Sequence, residues 1–182
     1  MGDDRGFTLI ELLVTLSLVA ILLTLSVAAL RSYWLVQSID GAADEVTTQL
    51  RQVQGEVTSE SVPFVYAVSF VPGSSPTAAS QSVTVWKYDT KDTPVTSDDT
   101  CTRARSIRLT NGTYVSSASF ATSPLVASSP CTGAVSGSSF GFFFARGTAT
   151  ATTGSHIVIR QDSVADTKVV RVIGLTGRVQ RS

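Results

Sequence analysis

An α+β architecture, a long N-terminal helix packed on a C-terminal antiparallel β domain, follows from three features of the 182-residue sequence. An apolar run from Phe7 to Leu30 contains a single charge, Glu11, and neither Gly nor Pro. Apolar residues at helical spacing continue beyond it as far as Val57. After Pro63 the pattern changes to short runs of β-formers broken by Ser, Thr, Gly and Pro.

As a helix, residues 7–30 extend roughly 36 Å at about 1.5 Å per residue, enough to cross a bilayer. A cleaved secretory signal is the competing reading, because "SVAAL" near the end of the run supplies small residues that a signal peptidase accepts. The run is longer than an ordinary h-region, and the leader MGDDRG sets two acids beside one Arg where a basic n-region is expected. Arg5 and Arg31 flank the span one on each side, so charge alone does not orient it.

Over residues 31–62, Leu35, Ile39, Ala42, Ala43, Val46, Leu50, Val53 and Val57 recur at steps of three and four. Asp40, Asp44, Arg51 and Glu56 fall between them, which is the pattern of an amphipathic second half of the same helix. Gly41 and Gly55 are tolerated interruptions, and Pro63 stands where the helix ends.

Residues 63–182 are expected to form the β-rich domain. "FVYAVSF" (64–70), "SVTVWKY" (82–88), "SIRLT" (106–110), "TYVSS" (113–117), "FGFFF" (140–144), "HIVIR" (156–160) and "KVVRVIG" (168–174) read as strands. Asn111-Gly112 predicts a tight hairpin turn between the third and fourth of these. Stretches 71–82, 89–100 and 118–139 read as Ser/Thr-rich surface loops.

The two cysteines, Cys101 and Cys131, are too far apart for a zinc or redox Cys-x-x-Cys pair. One disulfide between them is the natural reading, with two unrelated buried thiols as the alternative. A bridge implies an oxidising compartment, and hence a C-terminal domain outside the cytoplasm.

The formal net charge of zero excludes a strongly basic nucleic-acid protein at the level of the whole chain. His156 is the only histidine and begins an expected strand, with no nucleophile constellation attached to it. Asp89, Asp92, Asp98 and Asp99 gather in one loop, but the spacing fits no EF-hand and Lys87 and Lys91 offset the charge. No enzymatic activity, metal or cofactor is expected.

A polar leader ending in Arg5-Gly6, followed by Phe7 and "TLIELL" with Glu11 fifth after the Gly, resembles the N-terminus of type IV prepilins and type II secretion pseudopilins. The resemblance implies that a prepilin peptidase of the inner membrane cuts between Gly6 and Phe7, and that the new Phe7 amine is methylated. Other pilin or pseudopilin subunits and inner-membrane lipid are the further partners it implies, for a single-pass subunit with residues 1–6 as the removed leader.

Cleavage places an ammonium at Phe7, one helical turn from Glu11. Opposite charges about 4 Å apart attract by around 4 kcal/mol at an effective dielectric near 20. A carboxylate in hydrocarbon costs on the order of a few kcal/mol, so the pairing offsets the burial; the resemblance implies that it fixes the axial register of a newly added subunit, which makes Glu11 the expected assembly residue. The competing reading is a Glu that snorkels to the interface without a partner.

"FFFARGTAT" (142–150), "HIVIR" and "VVRVIGLTGRVQRS" (169–182) resemble the closing strands of the GspH/FimT group of minor pilins. From Arg146 onward there are six basic residues against two acids, whereas residues 7–145 hold seven against ten. FimT-like minor pilins are associated with DNA capture through a Gly-Arg-x-Arg element, which makes DNA a candidate partner and Arg171, Arg178 and Arg181 candidate contacts. Here the tail reads Gly177-Arg178-Val179-Gln180-Arg181, with the second Arg one residue late. Side chains alternate along a strand, so Arg178 and Arg181 are expected on opposite faces.

Overall fold

A computed structural model of the chain describes residues 8–59, 64–89, 91, 100–119, 139–144, 148–149, 155–173 and 178–181. Its first element is one continuous helix, α1, from Leu9 to Ser59. Nine strands follow among the described residues: β1 (Phe64–Phe70), β2 (Ser82–Asp89), β3 (Thr100–Arg108), β4 (Thr113–Ser119), β5 (Ser139–Phe144), β6 (Thr148–Ala149), β7 (His156–Gln161), β8 (Val164–Ile173) and β9 (Arg178–Arg181). They form a five-stranded sheet in the order β3-β2-β1-β5-β6 and a four-stranded sheet in the order β4-β7-β8-β9. Every pairing is antiparallel among the described residues.

The helix divides as its periodicity predicts. Ile39, Ala42, Ala43, Val46, Leu50, Val53 and Val57 are all buried, and Leu35 is half-buried at the edge of the stripe. They meet Tyr66, Val68, Phe70, Val83 and Val85 of the first sheet and Val115, Ile157, Ile159, Val170, Val172 and Val179 of the second. The interior is apolar on three sides, at roughly 1.5–3 kcal/mol for each fully buried aliphatic or aromatic side chain relative to exposure. Thr47, the buried polar residue in the stripe, donates its hydroxyl to Ala43 O at 2.7 Å and so carries no unmet donor into the core.

Around this core, polar groups tie the helix to particular strands. Arg105 on β3 donates Nη1 to Glu56 Oε1 at 2.6 Å and Nε to Gln49 Oε1 at 3.2 Å. On the other sheet, Arg51 Nη2 donates to Val179 O at 3.4 Å.

The Asn-Gly turn forms, but it does not make a hairpin. Asn111 and Gly112 both have positive φ, 57° and 71°, and Thr113 N donates to Thr110 O at 3.1 Å, as a type I′ turn requires. The strands on either side then separate, β3 pairing with β2 and β4 with β7. The β1–β2 connection takes the place of a partner strand: Leu109 N donates to Gln81 O, Val115 N to Ser80 O, and Gly73 N to Val115 O. That connection, expected as loose surface decoration, is pinned by Ser80, whose buried hydroxyl donates to Ser75 O at 2.7 Å and accepts from Thr77 N at 2.8 Å. The chain switches sheets at this corner.

β3 begins at Thr100, six residues before the expected run, and β8 begins at Val164. β6, two residues long, was not anticipated from the sequence.

Candidate functional site

The N-terminal site is built on the first turn of α1. Gly6 and Phe7 lie outside the described residues. Thr8 is the N-cap: its carbonyl accepts from Glu11 N at 3.1 Å and Leu12 N at 3.2 Å, and its Oγ1 accepts from Glu11 N at 3.3 Å. The Thr8 hydroxyl in turn donates to Glu11 Oε2 at 3.5 Å. Thr8 and Glu11 therefore stand at the N-cap and N3 positions of a capping box, with the carboxylate at the positive end of the helix dipole. Glu11 thus has a local structural role in addition to any pairing with an ammonium. The Thr-x-x-Glu spacing before an apolar run signals this in the sequence, and Thr8 is the residue that sequence reasoning missed.

From Leu9 to Trp34 the large apolar side chains of the helix are exposed; Leu9 is 83% accessible and Leu25 66%. This is the one helix among the described residues long and apolar enough to cross a membrane, and none of the described residues covers that stretch. Its hydroxyls are satisfied internally. Thr15, Ser17, Thr24 and Ser26 donate to the carbonyls of Leu12, Leu13, Ile21 and Leu22 at 2.8–2.9 Å. No hydroxyl of these four needs water, as hydrocarbon surroundings demand.

At the other end of the chain the three candidate arginines separate. Across β8 and β9, Val172 faces Val179 and Val170 faces Arg181, while Arg171 faces Gln180 and Ile173 faces Arg178. Val170, Val172 and Val179 are buried against the helix, so Arg181 belongs to the inner face. There it bridges two acids of α1: Nη1 meets Asp44 Oδ1 at 2.6 Å and Nη2 meets Asp40 Oδ1 at 3.3 Å. Lys168 Nζ lies 3.3 Å from the same Asp40 oxygen. Arg171 and Arg178 share the exposed outer face as diagonal neighbours on adjacent strands, at a spacing typical of about 7–8 Å. His156 sits directly across from Arg171 on β7, half-buried.

Cys101, on β3, is disulfide-bonded. Cys131 lies outside the described residues, as do Asp92, Asp98 and Asp99. Asp89 Oδ1 accepts from Lys91 N at 2.9 Å. No group of three or more His, Cys, Asp or Glu side chains that could hold a metal occurs among the described residues.

Residues 1–27 match the family model described as the prokaryotic N-terminal methylation motif. No curated protein and no solved structure matches the chain. The matched segment includes Gly6, Phe7 and Glu11 and runs on through most of the exposed apolar half of α1. With a prepilin-like methylation motif, one helix of membrane-spanning length and an antiparallel β domain packed on its second half, the chain has the general architecture of a type IV pilin or pseudopilin subunit.

Proposed function

We propose that the protein is a minor pilin or pseudopilin of the GspH/FimT type, a structural subunit of a type IV pilus or a type II secretion pseudopilus. Prepilin peptidase removes residues 1–6, Phe7 is methylated, and residues 7–30 hold the subunit in the inner membrane until it joins a filament. The β domain lies outside the cytoplasm, where Cys131 supplies the second sulfur of the Cys101 disulfide. The observation that carries this reading is the division of α1. The described residues of the segment bearing the methylation motif, 8–27, are all exposed, whereas the stripe from Ile39 to Val57 is buried. A helix built this way has a surface that only lipid or other subunits can cover.

Glu11 tests it. Glu11→Val keeps the span apolar and removes the partner of the Phe7 ammonium. The variant should enter the membrane and be cleaved normally, with methylated Phe7 as the terminus found by mass spectrometry, but should be lost from filaments. Normal incorporation of the variant, or a mature terminus after Ala28 or Ala29, refutes the reading.

A second reading, a DNA-receptor subunit acting in uptake, is favoured by the placing of Arg171 and Arg178 on one exposed face. Phosphate contacts would dominate such binding, with log K falling by about 0.9 per log salt for each phosphate neutralised on duplex DNA. Arg171→Gln with Arg178→Gln should abolish retardation of DNA at low salt, and Arg181→Gln should leave it intact. Absence of retardation by the unaltered protein eliminates this reading alone.

A further inference from the structure

Asn111 is the only asparagine in the chain, and the residue after it is Gly112. It is exposed at the β3–β4 corner, with Gly112 half-buried behind it. Neither the Asn111 side chain nor the Gly112 N–H makes a hydrogen bond among the described residues. The side-chain amide carbon of Asn111 thus stands one residue from a main-chain nitrogen that is free to react. Only glycine leaves the approach to that nitrogen open, because it has no Cβ.

What restrains the pair is the turn itself. Thr110 O accepts from Thr113 N at 3.1 Å and from Thr113 Oγ1 at 2.6 Å. These two bonds hold Asn111 at φ 57°, whereas attack on its Cγ needs a rotation about the Asn111 Cα–C bond that swings the peptide nitrogen toward the side chain. The turn must open before the atoms can meet. On either side the backbone is tied to the β1–β2 connection, Leu109 N to Gln81 O at 2.7 Å and Val115 N to Ser80 O at 2.9 Å, so the opening is confined to residues 110–113. Asp40-Gly41, the other pair of this kind, lies inside α1, where the helical ladder engages the glycine nitrogen.

We propose that Asn111 is a site of spontaneous deamidation, gated by the Thr110–Thr113 turn. With the turn open, Gly112 N gives up its proton to solvent and bonds to Asn111 Cγ. The Cγ–Nδ2 bond breaks, and the side-chain nitrogen leaves as ammonia with a proton from water. Water then opens the resulting five-membered succinimide at one of its two carbonyls. Addition at Cγ gives aspartate in an unchanged main chain; addition at the Asn111 carbonyl carbon gives isoaspartate, in which the main chain runs through Cβ and Cγ. Asp-Gly takes the same type I′ turn, so aspartate adds a charge and leaves the corner in place. Isoaspartate lengthens the main chain by one carbon between two anchored bonds, so the corner at which the chain switches sheets no longer closes as before. The inference is independent of the filament reading above.

The full chain is held in detergent at mildly alkaline pH, and samples taken over time are digested and sequenced by electron-transfer fragmentation, which separates aspartate from isoaspartate. A synthetic peptide of residues 106–117 is the unstructured reference. Position 111 should gain the mass that exchange of an amide –NH2 for –OH brings. Two bonds of ordinary strength must open first, so conversion in the native chain is expected to be roughly ten- to a hundredfold slower than in the peptide. Thr113→Val removes the hydroxyl bond and keeps the branched shape at this buried position; it should speed conversion in the protein about two- to tenfold. Thr113→Ser, which keeps the hydroxyl, should retain the parent's rate. Protein enriched in isoaspartate should melt below fresh protein, and Asn111→Asp should melt with it.

Asn111 that stays intact in the native chain after a few hundred half-times of the peptide overturns the site, because the two turn bonds account for no larger delay. A rate unaltered by Thr113→Val, or raised equally by Thr113→Ser, overturns the gate. A sugar on Asn111, which begins an Asn-Gly-Thr acceptor sequence, overturns the proposal as well, since it shows the amide nitrogen taken by an enzyme before it can leave.

Discussion

Arg181→Gln should destabilise the protein by about 1 kcal/mol, through the loss of a contact that links the last strand to the helix. Arg181 makes two ion pairs, at 2.6 Å to Asp44 and 3.3 Å to Asp40. The side chains are 36% exposed for Arg181, 67% for Asp44 and 33% for Asp40. Exposed pairs of this kind contribute about 0.2–1 kcal/mol each, and the Asp44 pair is discounted furthest for solvent screening. The Asp40 pair weighs more, because Asp40 Oδ1 is buried without a hydrogen-bond partner and Arg181 and Lys168 are the cations closest to it. A loss of about 1 kcal/mol lowers the melting temperature by about 2–4 °C for a domain of this size. Thermal unfolding of a soluble fragment beginning at Arg31 measures it. The difference should shrink in about 1 M salt, where the Debye length falls to about 3 Å. Equal destabilisation by Arg181→Gln in a background of Asp40→Asn with Asp44→Asn would show that the ion pairs are not its source.

Three further perturbations follow from the same geometry. Gly112→Ala should cost about 1–2 kcal/mol, because Gly112 has φ +71° while its added Cβ would meet Gln161 Nε2 at an ordinary 3.5 Å; a melting temperature unchanged from the parent's would remove the backbone argument. Gly55→Ala, in a helical position with nothing within 4 Å of the new Cβ, should stabilise by about 0.5–1 kcal/mol in denaturant unfolding, and a loss of stability would contradict it. Cys131→Ser should leave one alkylatable thiol, Cys101, and lower stability by about 3–4 kcal/mol if a loop of about 30 residues is closed by the bridge; two alkylatable thiols in the unaltered native protein would refute the pairing.

The helix was legible because its signals are local and repeated. The stripe from Ile39 to Val57 recurs over five turns, and a period sustained that long has one structural solution. β3 was legible only in its second half. Thr100 to Ala104 present exposed side chains on both faces of an edge strand, with only Cys101 half-buried, so no apolar alternation announces them. The Asn-Gly turn was read correctly as a turn and wrongly as a hairpin. Its φ values are fixed by the two residues themselves, whereas the choice of partner strand depends on the distant backbone of Gly73, Ser80 and Gln81.

The candidate sites divide the same way. Alternation along a strand put Arg178 and Arg181 on opposite faces, and the structure agrees. What receives Arg181 could not be read, since Asp40 and Asp44 are remote in sequence and belong to a helix whose rotation about the sheet is set by core packing. Thr8 is the opposite case: its capping box with Glu11 is written in four consecutive residues and needed only to be noticed.

The bond between Arg181 and Asp44 also joins the second half of the first element to the last described residue of the chain, a separation of 137 positions. During synthesis the helix emerges first, while β8 and β9, which cover much of its apolar stripe, emerge last. Contacts this remote form only after a large loop-closure cost, so the stripe from Ile39 to Val57 stays open for nearly the whole of translation. The nascent chain therefore carries two apolar surfaces on one helix, of which its own closing strands cover only the second.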